Sequence, residues 1–132
     1  MRITADTNVL ARAIVIDDPK RTRAAQAMLQ NAEIVAVTPS ALCEFVWVLW
    51  RVYGISKADV AVAIRKLIDG AKVTTNRAAV EAGLIALEAG GDFADGVIAF
   101  EGASLGGDTF ASFDKEAVSL LKKQGRDARL LS

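Results

Sequence analysis

Four carboxylates are the side chains of this sequence best suited to chemistry: Asp6, Glu44, Asp95 and Asp114. Asp6 and Asp114 each follow a short apolar run and precede a helical pattern. Asp95 falls in the first turn of another predicted helix, and Glu44 is the one charged residue in the apolar stretch Ala41–Trp50. Removing an ionised carboxylate from water is costly unless a partner offsets the loss. The pattern therefore indicates acids that serve a site.

Each acid also has a purely structural interpretation. Asp6 is a good N-cap for the helix that follows it. Asp92 and Asp95 have the spacing of a capping pair, and both acids would suit the positive end of the helix macrodipole. Glu44 can simply face solvent or pair with an arginine. Capping is the predicted main role of Asp92, whereas the recurrence of acids at similar junctions favours a functional site for the others.

The absence of histidine restricts the chemistry that the 132-residue chain can perform. It excludes Ser–His and Cys–His nucleophile pairs, histidine general acids and histidine-built zinc sites. Catalysis must then use carboxylates, whose hard oxygen atoms suit Mg²⁺ or Mn²⁺. Two carboxylates about 4 Å apart repel each other by roughly 4 kcal/mol at an effective dielectric constant of about 20, so a cluster of four needs protons or a cation. A divalent metal that activates water for attack on a phosphodiester meets this need.

Overall charge and composition constrain the partners. Sixteen basic residues balance sixteen acidic ones, so a polyanion must be held by a local patch. Hydrophobic residues make up 52% of the chain, which predicts an oligomer or a stable partner. Trp47 and Trp50 suit such a surface, although core packing is an equal alternative. The sequence shows no basic and apolar leader and no apolar segment near the roughly 18 residues that cross a bilayer, which predicts a cytoplasmic protein.

Short apolar runs alternate with helical patterns along the chain. Strands are predicted within Met1–Leu10 and over Ile34–Val37, Val73–Thr74, Asp108–Phe113 and Arg129–Leu131. This alternation is typical of an α/β fold with a mainly parallel sheet, in which right-handed crossovers bring the carboxyl ends of all strands to one edge. Asp6 and Asp114 should fall on that edge, within reach of Glu44 and Asp95. No linker or repeat interrupts the chain, which predicts one domain over residues 1–132.

The order and spacing of four motifs resemble those of PIN-domain ribonucleases, of the kind that forms the toxin half of VapBC-type toxin–antitoxin pairs. The motifs are Asp6-Thr7-Asn8 after the first strand, Ser40 with Glu44 in the helix after the second, Asp92-Phe93-Ala94-Asp95 followed by Val97-Ile98-Ala99, and Ser112-Phe113-Asp114-Lys115. The resemblance covers the whole chain. It implies a three-layer α/β/α PIN-like fold with a mainly parallel sheet of four to five short strands.

The resemblance implies a role for each residue of these motifs. The catalytic acids, which would also be the ligands of Mg²⁺ or Mn²⁺, are Asp6, Glu44, Asp95 and Asp114. Asn8 would orient Asp6, Ser112 would support the pocket, and Asp92 would be peripheral. Ser40 lies one helical turn before Glu44 and is predicted to line the same pocket.

The resemblance also implies an activity and partners. The chain would be a metal-dependent endoribonuclease and the VapC-type toxin of its pair, with an RNA substrate that Arg12 is predicted to contact. It would form a homodimer and bind a small VapB-like antitoxin whose tail covers the acidic cleft. Two positions depart from the family pattern: Gly96 and Phe100 stand where small residues such as alanine are usual. The glycine is expected to weaken its helix by up to about 1 kcal/mol.

Three other functions are compatible with parts of the pattern. A structure-specific DNA nuclease would use the same acids, but it would need an extended DNA-binding surface that a neutral chain of this size does not indicate. A phosphoacceptor domain would carry an early acid pair and a late lysine at a strand end, where this chain has Asp114. A catalytically inactive PIN-like interaction module would keep four mutually repelling acids without using them.

Overall fold

Three of the short strands are followed within two or three residues by a capped helix. The structure is a computed structural model that describes residues 1–132. The chain divides into unit 1, Met1–Asn76, and unit 2, Arg77–Ser132. None of the helices combines the length and the apolar character that crossing a membrane requires.

Unit 1 is a parallel sheet with four α-helices in its connections. Its strands are β1 (Arg2–Thr4), β2 (Ile34–Ala36) and β3 (Val73–Thr74), and its helices are α1 (Thr7–Ile14), α2 (Pro19–Asn31), α3 (Pro39–Trp47) and α4 (Lys57–Ile68). The strands lie side by side in the order β1-β2-β3, and both pairs are parallel. Its buried side chains include Leu42, Phe45 and Ile64, which are fully inaccessible to solvent.

Local capping determines where the helices of unit 1 begin. The Thr38 hydroxyl accepts a hydrogen bond from the Ala41 backbone N–H at 3.0 Å, and Pro39 occupies the first position of α3, as the sequence predicts. The same combination of an N-cap and a proline, Asp18 and Pro19, starts α2. The sequence predicts a turn over Ile16–Pro19 and a helix over Arg21–Gln30, so α2 begins two residues earlier than its apolar spacing indicates.

The apolar pattern predicts one helix from Ser40 to about Tyr53, but in the structure the helix changes its geometry midway. Helix α3 ends at Trp47, and the π-helical segment Val48–Val52 continues from it. Trp47 and Trp50 are 56% and 39% exposed, so the alternative of core packing is wrong. Their role in an oligomer or partner surface stays a prediction.

Unit 2 pairs two helices and adds a two-stranded parallel sheet. Its elements are α5 (Arg77–Glu88), α6 (Phe93–Ser104), β4 (Thr109–Ser112), α7 (Lys115–Lys123) and β5 (Asp127–Leu130). Strands β4 and β5 are parallel, which requires a crossover between them, and α7 supplies it. The last strand is predicted from Arg129 and begins two residues earlier.

The predicted α/β class with short parallel strands is confirmed. All five strands pair in parallel, but they hydrogen-bond as a three-stranded sheet in unit 1 and a two-stranded sheet in unit 2, not as the one sheet expected. The interpretation of residues 1–132 as a single domain stays a prediction.

Helices α5 and α6 approach each other at Gly96, which makes the glycine a packing requirement. A Cβ atom on Gly96 would overlap the carbonyl oxygen of Ala82 and lie 3.0 Å from the Cα atom of Gly83. These are backbone atoms, which cannot turn aside as a flexible side chain can. The expectation that Gly96 merely weakens its helix is therefore incomplete, because the glycine permits the contact between the two helices.

We expect Gly96→Ala to lower the free energy of unfolding by about 2 kcal/mol, because the overlap with α5 outweighs the gain in helix propensity of about 1 kcal/mol. Gly102→Ala is the matched control in the same helix. A Cβ atom there would meet only the Gly107 carbonyl oxygen, at 3.9 Å, so this substitution should leave stability unchanged or raise it. Urea unfolding of both variants gives the comparison, and an equal effect of the two substitutions would contradict the packing role of Gly96.

Candidate functional site

Asp6 caps helix α1 and keeps one carboxylate oxygen free. Strand β1 ends at Thr4, and the Asp6 Oδ1 atom accepts a hydrogen bond from the Thr7 backbone N–H at 2.9 Å. The capping interpretation of Asp6 is therefore correct. The side chain is exposed, and its second oxygen atom, Oδ2, has no hydrogen-bond partner in the protein. Capping leaves this oxygen available to a ligand.

Glu44 faces solvent, contrary to the expectation of a charge held within an apolar helix. Ser40, Glu44 and Trp47 follow one another at helical spacing, and all three are exposed. Helix α3 therefore presents one open face in spite of its apolar composition. Ser40 shares that face with Glu44, as its spacing predicts.

Thr7 connects helix α1 to Glu44, a contact that the sequence does not indicate. The Thr7 Oγ1 hydroxyl donates to the Glu44 Oε2 atom at 3.0 Å, and the Ala41 carbonyl oxygen lies 3.2 Å away as a second acceptor. Thr7 is only 5% exposed, and a buried hydroxyl needs a partner. The position of Thr7 directly after an N-cap was the only sign in the sequence of a special role. Its partner Glu44 lies 37 residues further along the chain, so the sequence does not indicate the contact.

Asn8 and Arg12 lie on helix α1 and do not contact Asp6. Asn8 is exposed and makes no hydrogen bond to Asp6, so the predicted orienting contact is absent. The Asp6 carboxylate is already engaged by the N–H of Thr7, the residue next to it. The Arg12 Nη1 atom donates to the Asp17 Oδ1 atom at 2.7 Å in an ion pair. Its role in substrate binding stays a prediction.

Unit 2 places two further acids at helix starts. The Asp92 Oδ1 atom accepts from the Ala94 N–H at 3.0 Å, so Asp92 is the N-cap of α6, as predicted. The Asp114 Oδ1 atom accepts from the N–H groups of Glu116 and Ala117 at 2.9 and 3.2 Å and caps α7. In turn, the Asp114 N–H donates to the Ser112 Oγ atom at 2.9 Å. Ser112 thus fixes the backbone that carries Asp114.

Asp95 is the most strongly perturbed acid. It is the third residue of α6 and is half-buried. Burial raises the pKa of its carboxyl group from 3.8 to about 6, and the negative charges of Asp92 and Asp114 add to the rise. The ionised form of Asp95 is therefore disfavoured, and a cation beside it would stabilise that form.

The donor chemistry fits a divalent metal, although neither unit gathers three acidic side chains in an arrangement that could hold one. All of the candidate donors are oxygen atoms, the type that Mg²⁺ and Mn²⁺ prefer. Asp6 and Asp114 each use a single carboxylate oxygen for capping, and Glu44 uses one to accept from Thr7. The carboxylate of Asp95 makes no hydrogen bond. Each acid therefore keeps an oxygen that a metal ion could bind.

Comparison with known families identifies the class of protein. The PIN domain family matches residues 3–123, which include parts of both units and all four acids. The chain belongs to the PIN-domain family. Members of this family are generally nucleases, hydrolases that act on nucleic acid and use divalent metal ions. No curated protein matches the chain.

We expect Thr7 and Glu44 to be energetically coupled. Thr7→Val removes the hydroxyl and keeps the side-chain shape, and Glu44→Ala removes the acceptor from an exposed position. In a double-mutant cycle followed by urea unfolding, the coupling free energy should be about 1 kcal/mol, the usual contribution of one such hydrogen bond. Strict additivity of the two substitutions would show that the contact contributes nothing to stability.

The raised pKa of Asp95 predicts a pH-dependent cost in stability. Between pH 3.8 and about 6 the folded chain holds more protons at Asp95 than the unfolded chain, so the free energy of unfolding falls as pH rises through this window. Asp95→Asn should remove that slope. Relative to wild type, the variant should gain about 1 kcal/mol between pH 4 and pH 7, a value reduced for the partial exposure of the side chain. Urea unfolding in EDTA measures it, and a difference that does not change with pH would contradict it.

Proposed function

We propose that the chain is a metal-dependent endoribonuclease that hydrolyses RNA phosphodiester bonds, and that it acts as the VapC-type toxin of a type II toxin–antitoxin pair. The observation that carries the proposal is the PIN-domain match over residues 3–123, which takes in the four acids together with their motifs. The toxin role rests on the resemblance of these motifs to those of VapBC-type ribonucleases.

The catalytic acids in this proposal are Asp6, Glu44, Asp95 and Asp114, which would hold Mg²⁺ or Mn²⁺. A bound divalent ion supplies a water of lowered pKa and stabilises charge on the reacting phosphate. Ser112 positions Asp114 through the backbone, and Thr7 positions Glu44. Asn8, Ser40 and Asp92 support the site, and Arg12 contacts the RNA.

The proposed partners follow from the same toxin role. A VapB-like antitoxin covers the catalytic acids and so prevents the attack on cellular RNA in the cytoplasm. A homodimer is supported by the exposed apolar side chains at the end of α3 and in the following π-helical segment. Trp47, Trp50 and Val52 are 56%, 39% and 60% exposed. Burial of such a surface against a second copy would remove it from water.

The nuclease proposal predicts that cleavage depends on both a metal ion and Asp6. The purified chain should cleave a mixed pool of structured and single-stranded RNAs with Mg²⁺ or Mn²⁺ and not with EDTA. Asp6→Asn should lower the rate by roughly 100-fold or more, the scale seen when one electrostatic group is removed from an active site. Asparagine also caps helices well, so this loss should not come from unfolding. Asp59→Asn is the matched control, since Asp59 is an exposed acid in the first turn of α4.

Each outcome of this experiment distinguishes the proposal from its alternatives. Metal-dependent cleavage of RNA that Asp6→Asn abolishes and Asp59→Asn preserves supports the nuclease. Cleavage of duplex or flap DNA in preference to RNA would favour the structure-specific DNA nuclease. A folded chain that binds Mn²⁺ and cleaves neither nucleic acid would favour the inactive interaction module. Equal cleavage by wild type and Asp6→Asn would point to a contaminating nuclease.

A further inference from the structure

A groove between α1 and α2 begins two residues after Asp6. Its volume is about 410 Å³, within the range of pockets that bind small ligands. The residues that define it are Asn8, Val9, Arg12, Arg21, Ala24 and Met28. The groove therefore combines an apolar floor, one amide and two guanidinium groups.

The guanidinium group of Arg12 is held in place before any ligand binds. Its Nη1 atom donates to Asp17 Oδ1 at 2.7 Å, and the Tyr53 hydroxyl donates to Asp17 Oδ2 at 3.1 Å. Both oxygens of Asp17 are thus engaged, and the Arg12 side chain is only 31% exposed. An arginine has five N–H donors, so the pair with Asp17 leaves donors that can meet a phosphate. The arrangement reduces the entropy that Arg12 must lose on binding.

The second arginine and the amide extend this chemistry along the groove. Arg21 forms a longer ion pair with Asp18, at 3.5 Å, and its side chain is 69% exposed. Asn8 lines the groove and makes no hydrogen bond in the structure, so its amide can both donate and accept. Single-stranded RNA presents these complementary features: a charged phosphate, a flat apolar base and a polar base edge.

We propose that the α1–α2 groove binds one nucleotide of a single-stranded RNA substrate. The base lies on the apolar floor formed by Val9, Ala24 and Met28, and Asn8 contacts its polar edge. Arg12 and Arg21 hold the phosphate, while Tyr53 and Asp17 act as positioning residues for Arg12. This inference rests on the proposed ribonuclease function and adds to it a site that reads a base next to the cleaved bond.

The test measures RNA binding without cleavage. A fluorescein-labelled single-stranded RNA of randomised sequence is titrated with the full chain in EDTA, and anisotropy gives the Kd. Arg12→Gln should weaken binding roughly tenfold, as expected for one hydrogen bond to a charged group, and should lower the salt dependence by about 0.7 in log–log slope. Ala24→Phe fills the groove without changing the charge and should weaken binding to a similar extent.

Two further variants separate the groove from general charge effects. Arg23→Gln is the matched control, because Arg23 is an exposed arginine of α2 that neither lines the groove nor forms an ion pair. It should change the Kd by less than about twofold. Tyr53→Phe removes one hydroxyl from the support of Arg12 and should weaken binding less than Arg12→Gln does. Its effect should disappear when Arg12 is already replaced, which a merely structural role of Tyr53 would not produce.

The outcomes decide the inference separately from the nuclease proposal. The nucleotide site is overturned if Arg12→Gln and Arg23→Gln weaken RNA binding equally. It is also overturned if the folded Ala24→Phe variant binds RNA with wild-type affinity. Both results hold even if the chain cleaves RNA. Loss of affinity confined to the groove variants would support the site even if cleavage is absent, in which case the proposed catalysis alone fails. Unchanged RNA binding together with loss of a protein partner would assign the groove to that partner and overturn the inference.

Discussion

Helix capping by aspartate is the physical constraint that fixes the positions of two of the four candidate acids, Asp6 and Asp114. The strands are four residues long at most, and α1, α6 and α7 begin close behind a strand or another helix with an aspartate as N-cap. One oxygen of each carboxylate satisfies N–H groups that have no partner within the helix. The other oxygen of Asp6 and of Asp114 accepts no hydrogen bond from the protein. A fold that needs these caps for its helices therefore also supplies acids at fixed positions.

The acids of unit 2 illustrate how stability and function can oppose each other. Asp95 is held half-buried, close enough to Asp92 and Asp114 for their charges to disfavour its ionised form. No cation of the protein pairs with it. The ionised form of such an acid is unfavourable in the metal-free protein. Metal binding is therefore more favourable there, because the cation relieves the repulsion between the negative charges. The position after Asp95 is constrained as well. It must be a glycine, Gly96, because the approach of α5 leaves no space for a side chain there.

Local interactions were predictable from the sequence, and distant ones were not. Caps such as Thr38 and Asp92 involve residues two or three positions apart, so their spacing is visible in the sequence. The class of fold and the parallel strands follow from the alternation of short apolar runs with helical patterns along the chain. The contact of Thr7 with Glu44 joins residues 37 positions apart, and nothing in either local stretch specifies it. Glu44 was expected among apolar side chains because nearly all of its neighbours in α3 are apolar. That composition does not indicate that one face of the helix is open to solvent.

The π-helical segment Val48–Val52 sets the angular position of Tyr53, the residue that follows it. Each residue of an α-helix turns the chain by about 100°, and a π turn accommodates one residue more than an α turn does. Tyr53 comes directly after this segment, where its N–H donates to the Val48 carbonyl oxygen. The extra residue thus determines the angle around the helix axis at which the Tyr53 side chain lies. A relative of this chain that lacks one residue here would keep Asp17 and Arg12 in its sequence and yet lose the hydroxyl that holds them.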